Sequence, residues 1–330
     1  MLGPRDKINV TFIKKKNMNT NFVAQCSMVS RLAYLRESDA GRVERLLRLA
    51  LDCSPDVFNR AMTGDKACTD GMEPATLGNV LFVKHRSGLR ALVFRRHLPG
   101  SSFAPRPTVF VSFKGTNSIM DAVRDVKAGW SRLCEGLPPA HAGFVAMLSP
   151  CMEEVTRAVR ARLRDGDRLV VTGHSMGGAL ADLYSAAIGA SPGWGLPSPD
   201  CVTFGEPRIW RTLDGLPAAS SGYYRVSSIG DPVVAVPPWL YHRRSGRLAV
   251  SLRSQQVLNR FANRPRLSEY VLNVSRRVNA RAPPGCATKK GQSAGGEKPG
   301  HRQGCHLVAS LGVCHSIYMD VGYLDVVLPL

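Results

Sequence analysis

The sequence predicts an α/β protein with a mostly parallel central sheet flanked by helices, and three observations carry that expectation. Apolar, β-branched runs alternate with stretches of helical spacing through the middle of the chain. One run, Leu169-Val170-Val171-Thr172, passes through a glycine-flanked turn directly into an apolar helical stretch. The length of 330 residues, with 44% hydrophobic and 21% charged, is enough to bury a large core.

Taken in order, residues 22–35 have helical spacing at Phe22, Cys26, Val29, Leu32 and Ala33. A second amphipathic stretch, 41–51, carries Val43, Leu46, Leu47 and Ala50. The piece 63–73 reads as a loop. Two runs, 80–83 and 91–94, flank Arg86-Ser87-Gly88 and predict a hairpin. Thr108-Val109-Phe110-Val111-Ser112-Phe113 predicts a buried strand. Helices are expected over 121–134 and about 142–163. The strand from Leu169 leads into a helix with Leu180, Leu183, Tyr184, Ala187 and Ile188 on one stripe, and 201–205 and 224–228 read as further strands. Arg243-Arg244-Ser245-Gly246 suggests another hairpin turn. Residues 1–20 form a basic tail and 21–330 one domain. That domain carries a basic, low-complexity insert at about 276–304, expected to be disordered, before an apolar segment at 307–318.

The formal charge is +19, and between residues 240 and 304 there are 14 Lys/Arg against Glu269 and Glu297. That excess suits an anionic membrane surface. Nucleic acid is supported by charge alone, because no nucleic-acid-binding motif accompanies it. No apolar run reaches the length of a bilayer span. The basic tail lacks the apolar core of a secretory signal, so the expected location is cytoplasmic, peripheral to membranes. The nine cysteines then read as reduced thiols. Cys286, Cys305, His306, Cys314 and His315 cluster late but form no C-x-x-C pair, so neither a metal nor another cofactor is expected.

The chemistry centres on Gly173-His174-Ser175-Met176-Gly177. A G-x-S-x-G between a strand and a helix is a sharp turn with a serine at its apex, where free N–H groups of the helix N-terminus can hold an oxyanion. Such a serine needs an imidazole to take its proton and a carboxylate to orient that imidazole, in the chain order Ser, Asp, His. Asp231 follows a predicted strand and is the expected acid, ahead of Asp200, Glu206 and Asp214. Among His242, His301, His306 and His315, the expected base is His315, with His306 second.

Several ordered motifs accompany the turn: Phe113-Lys114-Gly115-Thr116, His141-Ala142-Gly143-Phe144, Gly173-His174-Ser175-Met176-Gly177-Gly178-Ala179, Phe204-Gly205-Glu206-Pro207-Arg208, Tyr224-Arg225-Val226, and Asp231-Pro232-Val233 with Pro237-Pro238. Tyr241-His242 with Gly246 adds a small His/Gly hairpin. Together they resemble the class 3 lipases, the fungal triacylglycerol lipase-like branch of the α/β-hydrolase fold. Lysine stands at 114 where that family has arginine, and methionine at 176 where leucine is usual. The resemblance implies Ser175 as nucleophile, His315 as base and Asp231 as its partner. It also implies an oxyanion hole from the Met176 N–H and Thr116, and a lid over 118–130 that could equally be plain helical core. The implied activity is hydrolysis of acylglycerol or phospholipid esters. The competing reading is a catalytically inactive relative that binds anionic membranes or partners through its basic surface.

Overall fold

The computed structural model describes residues 20–51, 55–72, 80–96, 107–116, 129–217, 222–228, 231, 233–237, 241–242, 244 and 248–250. Helices α1 (Thr20–Leu32), α2 (Ala40–Leu51) and α3 (Pro55–Met62) come first, followed by strands β1 (Leu81–Lys84), β2 (Arg90–Arg96) and β3 (Thr108–Phe113). A two-stranded ribbon, β4 (Trp130–Ser131) with β5 (Ala140–His141), leads into helices α4 (Ala142–Leu148) and α5 (Met152–Arg160). Then come β6 (Arg168–His174), α6 (Met176–Ala190), β7 (Asp200–Phe204), β8 (Tyr223–Ser228) and β9 (Leu248–Val250).

Seven strands form one sheet in the order β1-β2-β3-β6-β7-β8-β9. Only β2 runs against its neighbours; β3, β6, β7, β8 and β9 pair in parallel. These parallel strands add in one direction, and since parallel crossovers are as a rule right-handed, the helices that connect them belong on one face. There α4, α5 and α6 pack on Val109, Val111, Phe113, Leu169, Val171 and Cys201. The alternate residues, Phe110, Val170, Val202, Phe204 and Val226, turn to the other face and meet α1, α2 and α3. The sheet is thus buried on both sides, which is why β3 and β6 read as nearly continuous apolar runs. Two hydroxyls in that core are satisfied locally: Thr172 Oγ1 donates to the Val202 carbonyl at 2.7 Å and lies 2.9 Å from Ser30 Oγ.

Three expectations need correcting. The helix expected over 142–163 is broken into α4 and α5 by a 3-10 turn at Ser149–Cys151, because Pro150 has no N–H for the helical ladder. Of the helix expected over 121–134, the described part is not helical: Trp130 and Ser131 pair antiparallel with His141 and Ala140. The stripe read on α6 is a full circumference, with every residue from Gly177 to Ile188 buried between the sheet and its neighbours. Helix α3 is an addition. The hairpin at 86–88 forms, closed by the His85 N–H on the Leu89 carbonyl at 3.0 Å and by Gly88 at φ 88°. The basic tail 1–19, most of the 243–246 turn, the insert at 276–304 and the 307–318 segment lie outside the described residues. Among the described residues no helix is long and apolar enough to cross a membrane.

Candidate active site

The register of the parallel strands brings distant segments to one edge. Phe113 pairs with Gly173, His174 with Phe204, and Phe204 with Val226. The loops leaving β3, β6, β7 and β8 therefore emerge side by side at the carboxyl ends of the strands, where open α/β sheets bind ligands. Lys114-Gly115-Thr116, Ser175, Glu206 and Asp231 all lie on these loops.

Ser175 sits between β6 and α6 at φ 60° and ψ −128°, the one non-glycine residue with positive φ among those described. For an L-residue this is strained backbone, costing on the order of 1–3 kcal/mol. Its neighbours hold it there. The Ser175 N–H donates to the Phe204 carbonyl at 2.8 Å, and the Ser175 carbonyl accepts from Gly178 N–H at 2.9 Å. A Cβ at Gly173 would overlap the Gly177 carbonyl, and a Cβ at Gly177 would overlap the Phe113 carbonyl. Strand, helix and the 114–116 loop thus touch backbone to backbone, and both glycines of the G-x-S-x-G are sterically required. A Cβ at Gly115 would likewise lie 3.3 Å from Ser175 Cβ, so the loop bearing Thr116 is pressed against the serine. Met176 is the first residue of α6, whose leading N–H groups have no partner within the helix.

Asp231 is 3% exposed, and its Oδ1 accepts the Val233 N–H at 2.9 Å, which fixes the loop after β8. The other acids are engaged differently. Asp200 lies at the opposite edge, where Arg168 Nε donates to it at 3.0 Å. Asp214 is exposed and accepts from Thr212 Oγ1 at 3.0 Å. His242 is exposed, with its backbone bridged to Trp210. His315, His306 and His301 lie outside the described residues, as do residues 118–128 of the segment 118–130 read above as either a lid or helical core. Trp130, at the end of that segment, is 40% exposed, with Arg211 stacked 4.6 Å over its ring. His141 caps the start of α4, packed between Phe144 and Tyr241, and burial lowers its pKa to about 4. Among the described residues no group of His, Cys, Asp and Glu is arranged to hold a metal ion.

Sequence reasoning missed a buried polar network under the elbow. Glu206 Oε2 accepts from Thr203 Oγ1 at 2.6 Å and from the Tyr223 hydroxyl at 2.7 Å, while Arg225 donates to the Glu206 carbonyl. Asp182, on α6, accepts from Trp210 Nε1 at 2.8 Å and pairs with Arg244 at 3.1 Å. Burial, and then the Asp182 charge, raise the Glu206 pKa from 4.5 to about 8. The available signal was an acid, Asp182, inside an otherwise apolar helix; such a residue is paired when fully buried. The network ties α6, which carries Ser175, to β8, which leads to Asp231.

Comparison with known proteins agrees with this layout. Residues 110–241 match the class 3 lipase family model. A lipase from Rhizopus niveus is 30% identical over 142 residues, which cover 40% of this chain and 35% of that protein. A secreted mono- and diacylglycerol lipase from Fusarium solani is 27% identical over 145 residues, 42% of each. The chain therefore spans less than half the length of these curated relatives. The structure of lipase II from Rhizopus niveus superposes with a TM-score of 0.50 at 20% identity, covering 66% of this chain and 75% of that one, which places the fold. With the strand–turn–helix at Ser175, the 114–116 loop and the strand register in their expected order, the chain has the α/β-hydrolase fold, and its residues 110–241 are similar to the class 3 lipase family.

Proposed function

We propose that the chain is a serine esterase of lipase type that hydrolyses carboxylic esters of acylglycerols or phospholipids through an acyl-enzyme. The observation that carries this reading is Ser175, held in strained backbone at the start of α6 and pressed against the Gly115-Thr116 loop. Strain of this kind persists where the surrounding structure imposes it, and it turns the serine side chain out of both strand and helix.

His315 takes the Ser175 Oγ proton as Oγ bonds to the ester carbonyl carbon. The carbonyl π electrons move to oxygen, and the oxyanion receives hydrogen bonds from the Met176 N–H and from Thr116. On collapse the C–O bond to the alcohol breaks, and His315 returns the proton to the leaving oxygen. Water, deprotonated by the same imidazole, then hydrolyses the acyl-enzyme. Asp231 orients the imidazole and stabilises its charged form. No cofactor enters any step. The basic excess favours transient contact with an anionic lipid surface.

The test is hydrolysis of p-nitrophenyl esters of increasing chain length by the wild type and by Ser175→Ala, His315→Ala and His306→Ala. Ser175→Ala and His315→Ala are expected to lose several orders of magnitude in rate, and His306→Ala to retain it. Loss with His306→Ala in place of His315→Ala would move the base. A wild type as inert as Ser175→Ala on every ester would favour the non-catalytic, membrane-binding reading.

A further inference from the structure

Helix α1 and the turn after it precede the stretch that matches the lipase family, which starts at residue 110. That turn nevertheless reaches the site. The Tyr34 hydroxyl lies 3.0 Å from Nδ1 of His174, the residue before the nucleophile. The same hydroxyl stands against Gly115, where an added Cβ would overlap it and would fall 2.5 Å from the His174 carbonyl. The Tyr34 ring carries the Lys114 ammonium 5.8 Å from its centroid. One side chain thus touches the elbow, the oxyanion glycine and the lysine that replaces the family's arginine.

The contact is clamped on both sides. Arg90, at the start of β2, donates to the Leu35 carbonyl at 2.7 Å, fixing the turn that holds Tyr34. The Arg90 carbonyl accepts the Lys114 N–H at 2.9 Å, fixing the first residue of the oxyanion loop. Among the described residues no carboxylate pairs with Lys114. Burial, with Arg90 as the smaller cause, pulls its ammonium below the usual range, as befits a cation with no acid beside it. An aromatic face is the partner available to such a cation.

We propose that Tyr34 is a positioning residue of the oxyanion hole: its hydroxyl, held between Gly115 and His174, sets the spacing of Thr116 from Ser175, and its ring seats Lys114. The role acts through the loop and the elbow, and it rests on the catalytic reading above. A displacement of the Thr116 donor by a fraction of an ångström weakens the transition state more than the bound ester, because the oxyanion forms only in the former.

The test compares full-length wild type, Tyr34→Phe and Tyr34→Leu on p-nitrophenyl butyrate, with inhibition by phenylboronic acid, whose tetrahedral serine adduct mimics the oxyanion, and with thermal melting. Tyr34→Phe is expected to lower kcat roughly tenfold to a hundredfold with KM within about twofold, and to weaken boronate binding by a similar factor. Tyr34→Leu, which also removes the ring beneath Lys114, loses more. A Tyr34→Phe variant with kcat and boronate affinity within about twofold of wild type would overturn the proposal, whatever its melting temperature. So would a raised KM at unchanged kcat, since that marks ground-state binding. A fluorophosphonate that labels Ser175 in the wild type separates this failure from failure of the catalytic reading. An unlabelled, inert wild type sinks both proposals, whereas a labelled, active wild type with an unchanged Tyr34→Phe sinks this one alone.

Discussion

Gly177→Ala tests how the elbow is built. The added Cβ overlaps the Phe113 carbonyl oxygen and lies 2.9 Å from both Gly115 N and the Lys114 carbonyl carbon, all backbone atoms of β3 and the 114–116 loop. Backbone held in a buried parallel sheet cannot rotate away as a flexible side chain can, so the cost belongs at the upper end of overpacking, about 3 kcal/mol. Alanine in a helix returns up to about 1 kcal/mol relative to glycine, which leaves a net loss of roughly 2 kcal/mol. The functional cost is larger. In the proposed mechanism, pushing 113–116 away from α6 separates Thr116 from the Met176 N–H, and losing one oxyanion donor costs about 100- to 1000-fold in kcat. Two glycines on the same helix calibrate the argument. At Gly178 the nearest atom to an added Cβ is Glu206 Cβ at 3.2 Å, and at Gly189 it is Pro217 Cγ at 3.5 Å, an ordinary contact. Ester hydrolysis and urea unfolding should therefore rank the alanine variants in the order Gly189, Gly178, Gly177, with Gly189→Ala neutral or slightly stabilised. A Gly177→Ala variant with kcat within threefold of wild type and unchanged stability would refute the backbone-contact account.

Three other expectations follow from named groups. Ser175→Gly removes the positive-φ strain, worth about 1–3 kcal/mol, against about 0.4–1 kcal/mol of extra unfolded-chain entropy. The variant should melt higher while losing activity, and a lower melting temperature would contradict the strain. Glu206 binds its proton up to about pH 8 in the folded chain but only to about 4.5 when unfolded. The folded state thus holds the extra proton between those values, and wild-type stability falls as pH rises through that window. Glu206→Gln, which stays neutral, should gain on wild type by on the order of 1 kcal/mol per pH unit there; a pH-independent difference in urea unfolding would rule out the buried acid. Asp182→Ala strands Arg244 and the Trp210 N–H and should cost about 3–5 kcal/mol in urea unfolding, and a loss below about 1 kcal/mol would contradict the pairing.

What the sequence made legible was what local pattern encodes. The runs at 108–113 and 168–174 are buried on both faces, so their apolar continuity announced parallel strands, and the glycines around Ser175 announced the turn between strand and helix. The break between α4 and α5 falls at Pro150, a local signal that the expectation of one helix over 142–163 did not use. The ribbon of Trp130 with His141 carried no readable pattern, because two-residue strands are fixed by distant partners: the His141 N–H reaches the Ile209 carbonyl at 2.8 Å. The Glu206 network was hidden for the same reason, since residues 182, 206, 223, 225 and 244 meet only once the sheet has formed. Tyr34 had no local signal at all. It sits 140 residues from His174 in sequence, and only packing of α1 on the sheet joins them.

The most direct test of the central claim is intact-protein and peptide mass spectrometry after exposure to an alkyl fluorophosphonate. Activated serines react with this probe and ordinary serines do not. The account predicts one adduct, localised to Ser175, that forms far more slowly in His315→Ala and in Asp231→Asn. A folded wild type that gains no adduct, or gains one at another residue, would show that the strained serine at the head of α6 is not an activated nucleophile.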